Sequence, residues 1–206
     1  MPQDGDLHKA ARDADKDACE DALRAGVEVD APGAQGRTAL HRALGAGSMP
    51  VCKFLLDKGA NPQVIDAMKR SSLHWAAMAP NNAVESVKLL FERGVGEKLL
   101  NIQSKSGSTP LHMAAEQKKK DVCLLLLEAG ADRAVKDDDG KTAQDLCGKD
   151  AAMLELFKTE GGGFMGKKKT DKVRRRSSLA AVLFMTKEGR RRSSILRGGG
   201  KIAPED

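Results

Sequence analysis

From Leu7 to Phe157, apolar positions come in pairs of short runs separated by polar stretches, and each pair repeats the one before it. The sharpest copy of the first run is Thr109-Pro110-Leu111-His112-Met113-Ala114-Ala115. Related copies are Leu7-His8-Lys9-Ala10-Ala11, Thr38-Ala39-Leu40-His41-Arg42-Ala43-Leu44, Ser72-Leu73-His74-Trp75-Ala76-Ala77 and Thr142-Ala143-Gln144-Asp145-Leu146. A threonine before the run can cap a helix by accepting from an orphan backbone N–H, and Pro110 suits a first helical position because its φ is already fixed near the helical value. The leucine points into the layer between copies, and the alanine pair lets neighbouring helices approach closely. Second apolar runs at Val51–Leu56, Val87–Phe91 and Val122–Leu127 predict another helix in each full copy. They end at Gly59, Gly94 and Gly130, which can take the left-handed conformation that closes a helix. Gly36, Gly107 and Gly140 lie in the polar stretches that lead to the next copy, as turn residues do. The predicted unit is helix, turn, helix and exposed loop, used five times.

His8, His41 and His74 are evenly spaced at about 33 residues, His74 to His112 is a longer step, and Thr109 to Thr142 returns to the first spacing. That period, with the Thr-Pro-Leu-His motif, resembles the ankyrin repeat, and the chain is similar to that family over about residues 4–160. The units span about 4–33, 34–66, 67–103, 104–136 and 137–160, in a repeat domain of residues 1–160. The resemblance implies an all-α ankyrin-repeat solenoid, in which stacked units share a core that no single unit could bury. It implies that each motif histidine hydrogen-bonds the backbone of a neighbouring loop, and that the residue after it faces a concave groove holding a protein partner. Trp75, the one tryptophan, has that position in the third unit, as Arg42 and Met113 have in the second and fourth. The implied partner-binding positions are Arg42, Trp75, Met78, Met113 and Glu116 on helices, with Arg37, Lys69, Arg70, Lys105 and Ser108 on loops. Tryptophan is enriched at binding hot spots; the competing reading has Trp75 covering a neighbouring turn. Extra residues around Pro80–Asn82 and Gly94–Leu100 account for the longer step and are expected in loops.

All four histidines are spent on the motif, leaving none for a Ser–His–Asp or Cys–His arrangement or a histidine metal cluster. There is also no phosphate loop of the P-loop type. These residues describe a non-enzymatic interaction protein, an adaptor or scaffold, that needs no cofactor or metal. Cys19, Cys52 and Cys123 stand at the same distance after the motif histidines His8, His41 and His112, so they are one repeat position seen three times, expected as buried thiols. Free thiols suit a reducing compartment. Asp13, Asp15 and Asp17 lack the glycine and closing glutamate of a calcium loop and read as the polar face of a terminal cap. Lys118-Lys119-Lys120 reads as a solvated turn between two helices. The longest apolar runs, Val122–Leu127 and Leu179–Met185, are too short to cross a bilayer, and the acidic N-terminus does not resemble a secretory signal. The expected location is the cytoplasm, with the nucleus as the alternative.

Charge changes the picture at Gly161-Gly162-Gly163. Residues beyond it carry 13 Lys and Arg against Asp171, Glu188, Glu205 and Asp206, a net of +9, and residues 1–160 hold the remaining 22 basic and 25 acidic side chains, a net of −3. Residues 161–206 are therefore expected to be a disordered basic tail. Inside it, Arg174-Arg175-Arg176-Ser177-Ser178-Leu179 and Arg190-Arg191-Arg192-Ser193-Ser194-Ile195 form a second duplication and resemble substrates of cAMP-dependent protein kinase. The resemblance makes Arg175, Arg176, Arg191 and Arg192 the kinase-recognition residues and Ser177, Ser178, Ser193 and Ser194 the phosphate acceptors, with Ser178 and Ser194 in best register. A plain solvated basic tail is the competing reading. Phosphoserines there would suit a 14-3-3 protein, although the proline its motif prefers is missing. Leu179–Met185 leaves three readings open: a calmodulin target, an anionic-membrane contact, or an apolar patch with neither role. Ser194-Ile195-Leu196-Arg197 resembles an accessory docking motif for type-1 protein phosphatase, and Lys167-Lys168-Lys169 with Arg174-Arg175-Arg176 a split nuclear-import signal. With only Phe164 and Phe184 for stacking, the tail predicts no specific nucleic-acid binding. An alternative to the adaptor is a regulatory subunit or inhibitor that engages a kinase or phosphatase through this tail.

Overall fold

Each first helix of the repeat after the first unit starts on a side-chain cap. The computed structural model describes residues 3–148 and 150–158; the serines and arginines of the tail lie outside the described residues. Thr38, Ser71, Thr109 and Thr142 open α-helices as N-caps, each in a capping box with the side chain three positions later. In the third unit the cap is Ser71, just before the copy of the motif begins. The first unit lacks this device, since Gly5 has no side chain to cap with.

Among the described residues ten α-helices fall into five pairs, and one short α-helix stands outside them. α1 (Asp6–Arg12) and α2 (Lys16–Arg24) are followed by α3 (Ala39–Ala46) and α4 (Met49–Asp57), then by α5 (Ser72–Met78) and α6 (Ala83–Glu92). A short α7 (Glu97–Leu100) precedes α8 (Pro110–Glu116) and α9 (Lys120–Glu128), and α10 (Ala143–Leu146) and α11 (Ala151–Lys158) close the stack. The first helices pack in one row and the second helices in another, each against its counterpart in the next unit. Ala11, Ala43, Ala76, Ala77, Ala114 and Ala115 are fully buried, which is how the first helices come so close. Leu7, Leu40, Leu55, Leu73, Leu90, Leu111 and Leu126 fill the layers between units, each contributing about 1.5–3 kcal/mol by leaving water. Among the described residues there are no strands, only isolated bridges at Ile65–Ser71 and Lys136–Thr142 where loops double back.

Loops carry their own ladder. Ala67 N–H donates to Gln35 O at 2.8 Å, Lys105 N–H to Met68 O at 2.8 Å, and Asp138 N–H to Ser106 O at 3.2 Å, so each finger is tied to the next through backbone alone. Gly59, Gly94 and Gly130 do take positive φ after their helices, as expected.

Two expectations need correcting. Gly94–Leu100 is not simply an inserted loop: it contains α7, and Leu99 and Leu100 are buried in the core. The extra residues bury apolar side chains, so helix is favoured over solvated coil there. Nor is the lysine turn fully solvated. Lys119 Nζ donates to Ala77 O at 3.0 Å and to Ala79 O, crossing from the fourth unit to the C-terminal end of α5 in the third. It satisfies carbonyls that a helix end leaves without partners, where a cation is favoured, and burial lowers its pKa. Lys119→Met keeps the aliphatic stem and removes the donors. It is expected to cost about 1–2 kcal/mol, read as a lower urea midpoint with unchanged slope.

Candidate partner-binding surface

The motif histidines build the frame of the surface. Thr38 N–H donates to His41 Nδ1 at 3.0 Å, which leaves the ring proton on Nε2, and that N–H donates to Val64 O at 3.1 Å. Ser71 N–H and His74 Nδ1 repeat the contact at 3.1 Å, with His74 Nε2 donating to Ser108 O at 3.0 Å. Thr109 N–H and His112 Nδ1 are 3.2 Å apart, and His112 Nε2 donates to Lys141 O at 3.2 Å. Each ring therefore joins its own helix cap to the backbone of the loop that follows its helix pair, at Val64 near the end of the second unit and at Ser108 and Lys141 in the fourth and fifth. Burial pushes both His41 and His74 from the ordinary 6.5 down to about 4. In the fifth unit Asp145 replaces histidine and accepts from Thr142 N–H at 2.8 Å. His8 keeps the far bond, to Ala31 O at 2.9 Å, but its Nδ1 has no partner because Gly5 offers no cap.

Of the sequence-predicted contact residues, the structure brings three together where the second and third units meet, Trp75, Arg37 and Arg70, with Arg42 close enough to Arg37 for the two charges to repel. Trp75, on α5, is half-buried. Arg37 and Arg70 hold their guanidinium carbons over its ring, 4.9 and 4.4 Å from the centroid, and the His41 ring is 6.4 Å away. Its six-membered ring lies against Gly45 of α3, where an added Cβ would stand 2.8 Å from Cε3. Trp75 thus covers part of the second unit while carrying two arginines on its face.

Two carboxylates that the sequence reading did not single out hold the arginines. Asp66 is 0% exposed at its side chain; Oδ1 accepts from Met68 N–H at 2.8 Å and Arg70 N–H at 2.9 Å, and Oδ2 accepts from Arg70 Nε at 3.0 Å. Burial alone would raise its pKa, but the hydrogen bonds from Arg70 and Met68 hold it below the ordinary carboxylate value. Asp4 pairs with Arg42 and accepts from Ala34 N–H at 2.9 Å, and these contacts likewise outweigh burial to lower its pKa. Asp66 had a sequence signal: Asp137 recurs at the same loop position and accepts from Lys141 N–H at 2.8 Å. Asp4 had none, since nothing near it in sequence points to Arg42.

The remaining predicted residues lie around this centre or farther along. Lys69 and Lys105 are exposed on adjacent fingers. Ile65 and Met68 on the same finger as Lys69 are 47% and 40% exposed, which makes the finger tip partly apolar. Met78 and Met113 are half-buried, Glu116 is exposed on α8, and Ser108 Oγ accepts from Ser106 Oγ at 3.2 Å while its carbonyl is taken by His74.

Cys19, Cys52, Cys123 and Cys147 are free and buried, and burial raises their thiol pKa, to about 11 for Cys19 and about 12 for Cys52 and Cys123. Among the described residues no group of three His, Cys, Asp or Glu side chains is arranged to hold a metal ion, and no helix is long and apolar enough to cross a membrane.

Stacked helix pairs, histidines bridging units and tied loop fingers define an α-solenoid interaction module. The sequence model of the family described as "Ankyrin repeats (3 copies)" matches residues 7–99 and 79–156, and the chain belongs to the ankyrin-repeat family. It is 37% identical to the E3 ubiquitin-protein ligase KEG of Arabidopsis thaliana over 103 residues, which cover 50% of this chain and 6% of the ligase. An ankyrin repeat protein of Rickettsia felis is 35% identical over 116 residues, 56% of this chain and 37% of that protein. The nuclear factor NF-kappa-B p105 subunit of Gallus gallus is 33% identical over 141 residues, 66% of this chain and 14% of the subunit. The chain thus spans well under half the length of each of these relatives, and the likeness is one of repeat segments. Protein–protein interaction is the general role such repeats carry.

Proposed function

We propose that the chain is an adaptor that binds a protein partner across its first helices and loop fingers, with Trp75 at the centre of the contact, and that phosphorylation of its basic tail regulates it. What carries the reading is the group of Trp75, Arg37, Arg42 and Arg70: a tryptophan and three arginines, the residue types that dominate binding hot spots, neighbouring one another and each partly open to solvent. The exposed Ile65 and Met68 extend it with apolar area. The four free buried thiols support a reducing compartment, the cytoplasm or nucleus.

For the tail, the duplicated Arg-Arg-x-Ser pattern at Ser178 and Ser194 supports a basophilic kinase such as cAMP-dependent protein kinase. Two phosphates would add about −3 to −4 charges, enough to cancel roughly a third to a half of the tail's excess. The alternative, in which the tail engages a kinase or phosphatase and the repeats only localise it, rests on the same duplication.

Affinity capture from lysate with the full chain, Trp75→Ala and a truncation ending at Gly163 separates the two. Under the adaptor reading Trp75→Ala loses at least about tenfold of a specific capture that the truncation keeps, with helical circular dichroism unchanged. Capture that vanishes with the tail and ignores Trp75 overturns it. Incubation with the purified kinase should place phosphate on Ser178 and Ser194, and replacing Arg175, Arg176, Arg191 and Arg192 should abolish it.

A further inference from the structure

We infer that the arginine group around Trp75 is a receptor for a carboxylate side chain, so that the partner segment crossing this patch is an acidic peptide. The inference rests on the reading that the first-helix face receives the partner, and it names that partner's chemistry.

The cluster is short of acceptors. It holds three guanidinium groups and two carboxylates, and both carboxylates are committed. Asp66 spends Oδ1 on two backbone N–H groups and Oδ2 on Arg70; Asp4 is shared between Arg42 and Ala34 N–H. Arg37 gains little from Asp66, whose Oδ2 is 3.8 Å from its Nε, and its one close acceptor is the uncharged side chain of Gln35, which takes Nη2 and leaves the charge unbalanced. Arg37 Nε, Arg42 Nε and Trp75 Nε1 are enclosed without any acceptor. These enclosed donors lie beyond a partner's reach, but the positive charge of the arginines is left unbalanced at the surface, and that potential favours an anionic group at their outer edge. The like charges act on each other as well: burial, then Arg70 and Arg42, lower the pKa of Arg37.

The guanidinium groups still present an outer edge. The side chains of Arg37, Arg42 and Arg70 are 18%, 15% and 17% exposed. Among the described residues no acceptor is hydrogen-bonded to Nη1 of any of the three, and none of these Nη1 atoms is enclosed. Packing against Trp75 and the bonds to Asp66 and Asp4 hold the arginines in place, so little side-chain entropy remains to be lost on binding. Exposed Lys69 and Lys105 on the adjoining fingers add positive potential, and Ile65 and Met68 offer apolar contact beside it. A carboxylate accepting from an arginine edge while its neighbour covers the finger fits this arrangement; a basic or uncharged segment would leave the donors as they are.

The test uses the full chain to select binders from a displayed library of short random peptides. Affinities of the selected peptides are then measured by fluorescence anisotropy against wild type, Arg37→Gln, Arg42→Gln, Trp75→Ala and the outer-helix control Lys53→Gln. The expected result is enrichment of Asp or Glu, weaker binding at higher salt, and about tenfold weaker binding to Arg37→Gln and Arg42→Gln, with Lys53→Gln unchanged. Replacing the selected acidic residue by its amide should cost a similar factor. Arg42 also holds Asp4, so Arg37→Gln, which breaks no close ion pair, keeps the test sound if Arg42→Gln melts early. Peptides without acidic residues, peptides that bind only when phosphorylated, or no selected peptide at all would each overturn the carboxylate receptor. Binding that falls with Trp75→Ala but ignores both arginine changes leaves the interaction face standing and removes this assignment alone.

Discussion

Acidification from pH 7 to pH 4 is expected to remove about 3 kcal/mol of stability for each of His41 and His74. Burial lowers both rings from 6.5 to about 4. The neutral ring is the one that fits, because Nδ1 must accept from the cap N–H while Nε2 donates to the next finger. In the unfolded chain both rings take up a proton near pH 6.5, so between there and pH 4 the unfolded state binds more protons. The stabilisation is therefore complete above about pH 6.5 and falls as pH drops toward 4, at up to about 1.4 kcal/mol per pH unit for each ring. Together the two rings reach the size of a small domain's whole stability. Asp66 and Asp4, held below the ordinary 3.8, lose their contribution only at still lower pH. Urea midpoints measured from pH 7.5 to 4.5 should drop steeply below 6.5, and histidine ring ¹⁵N spectra at pH 5 should still show the Nε2–H form in the folded chain. A midpoint that stays level across that window would sink the account. On the alkaline side, thiols raised to about 12 at Cys52 and Cys123 protect the fold until the unfolded chain begins to lose its thiol protons near pH 9.

Gly47→Ala is the single substitution near the surface expected to cost most, about 3 kcal/mol or more. Gly47 closes α3 with φ of 70°, where a Cβ is disfavoured in its own right. The added Cβ would also stand 2.4 Å from Asn81 O, a backbone atom of the following unit that cannot swing away like the tip of a side chain. To make room, the segment before α6 must retreat, which breaks the bond from Asn82 Nδ2 to Gly47 O at 2.9 Å. Denaturant unfolding should show a lower midpoint for this variant. Gly59→Ala, with φ of 92° but open space around its Cβ, separates the two causes: it carries only the backbone strain and should cost less. Equal losses at the two sites would show that the contact with Asn81 adds nothing.

Much of this protein is legible in its sequence because the signals are local and repeated. Threonine caps, Pro110, the motif leucines and helix-ending glycines act within one turn of backbone, and a period of about 33 residues presents them again and again. The histidine bonds could be expected from the resemblance because the period also fixes which loop lies opposite each ring. Interactions between residues distant in sequence were decided only by tertiary structure. Asp4 meets Arg42 across 38 positions and Lys119 reaches Ala79 across 40, and neither pairing repeats in other units. α7 forms because stacking gives Leu99 and Leu100 a core to enter, which a local reading of Gly94–Leu100 does not contain. Sequence could place Trp75 on the binding face. Its packing on Gly45, its two arginine neighbours and the shortage of acceptors around them exist only once two successive units are stacked, because the potential at a surface is the sum over side chains that the chain itself keeps far apart.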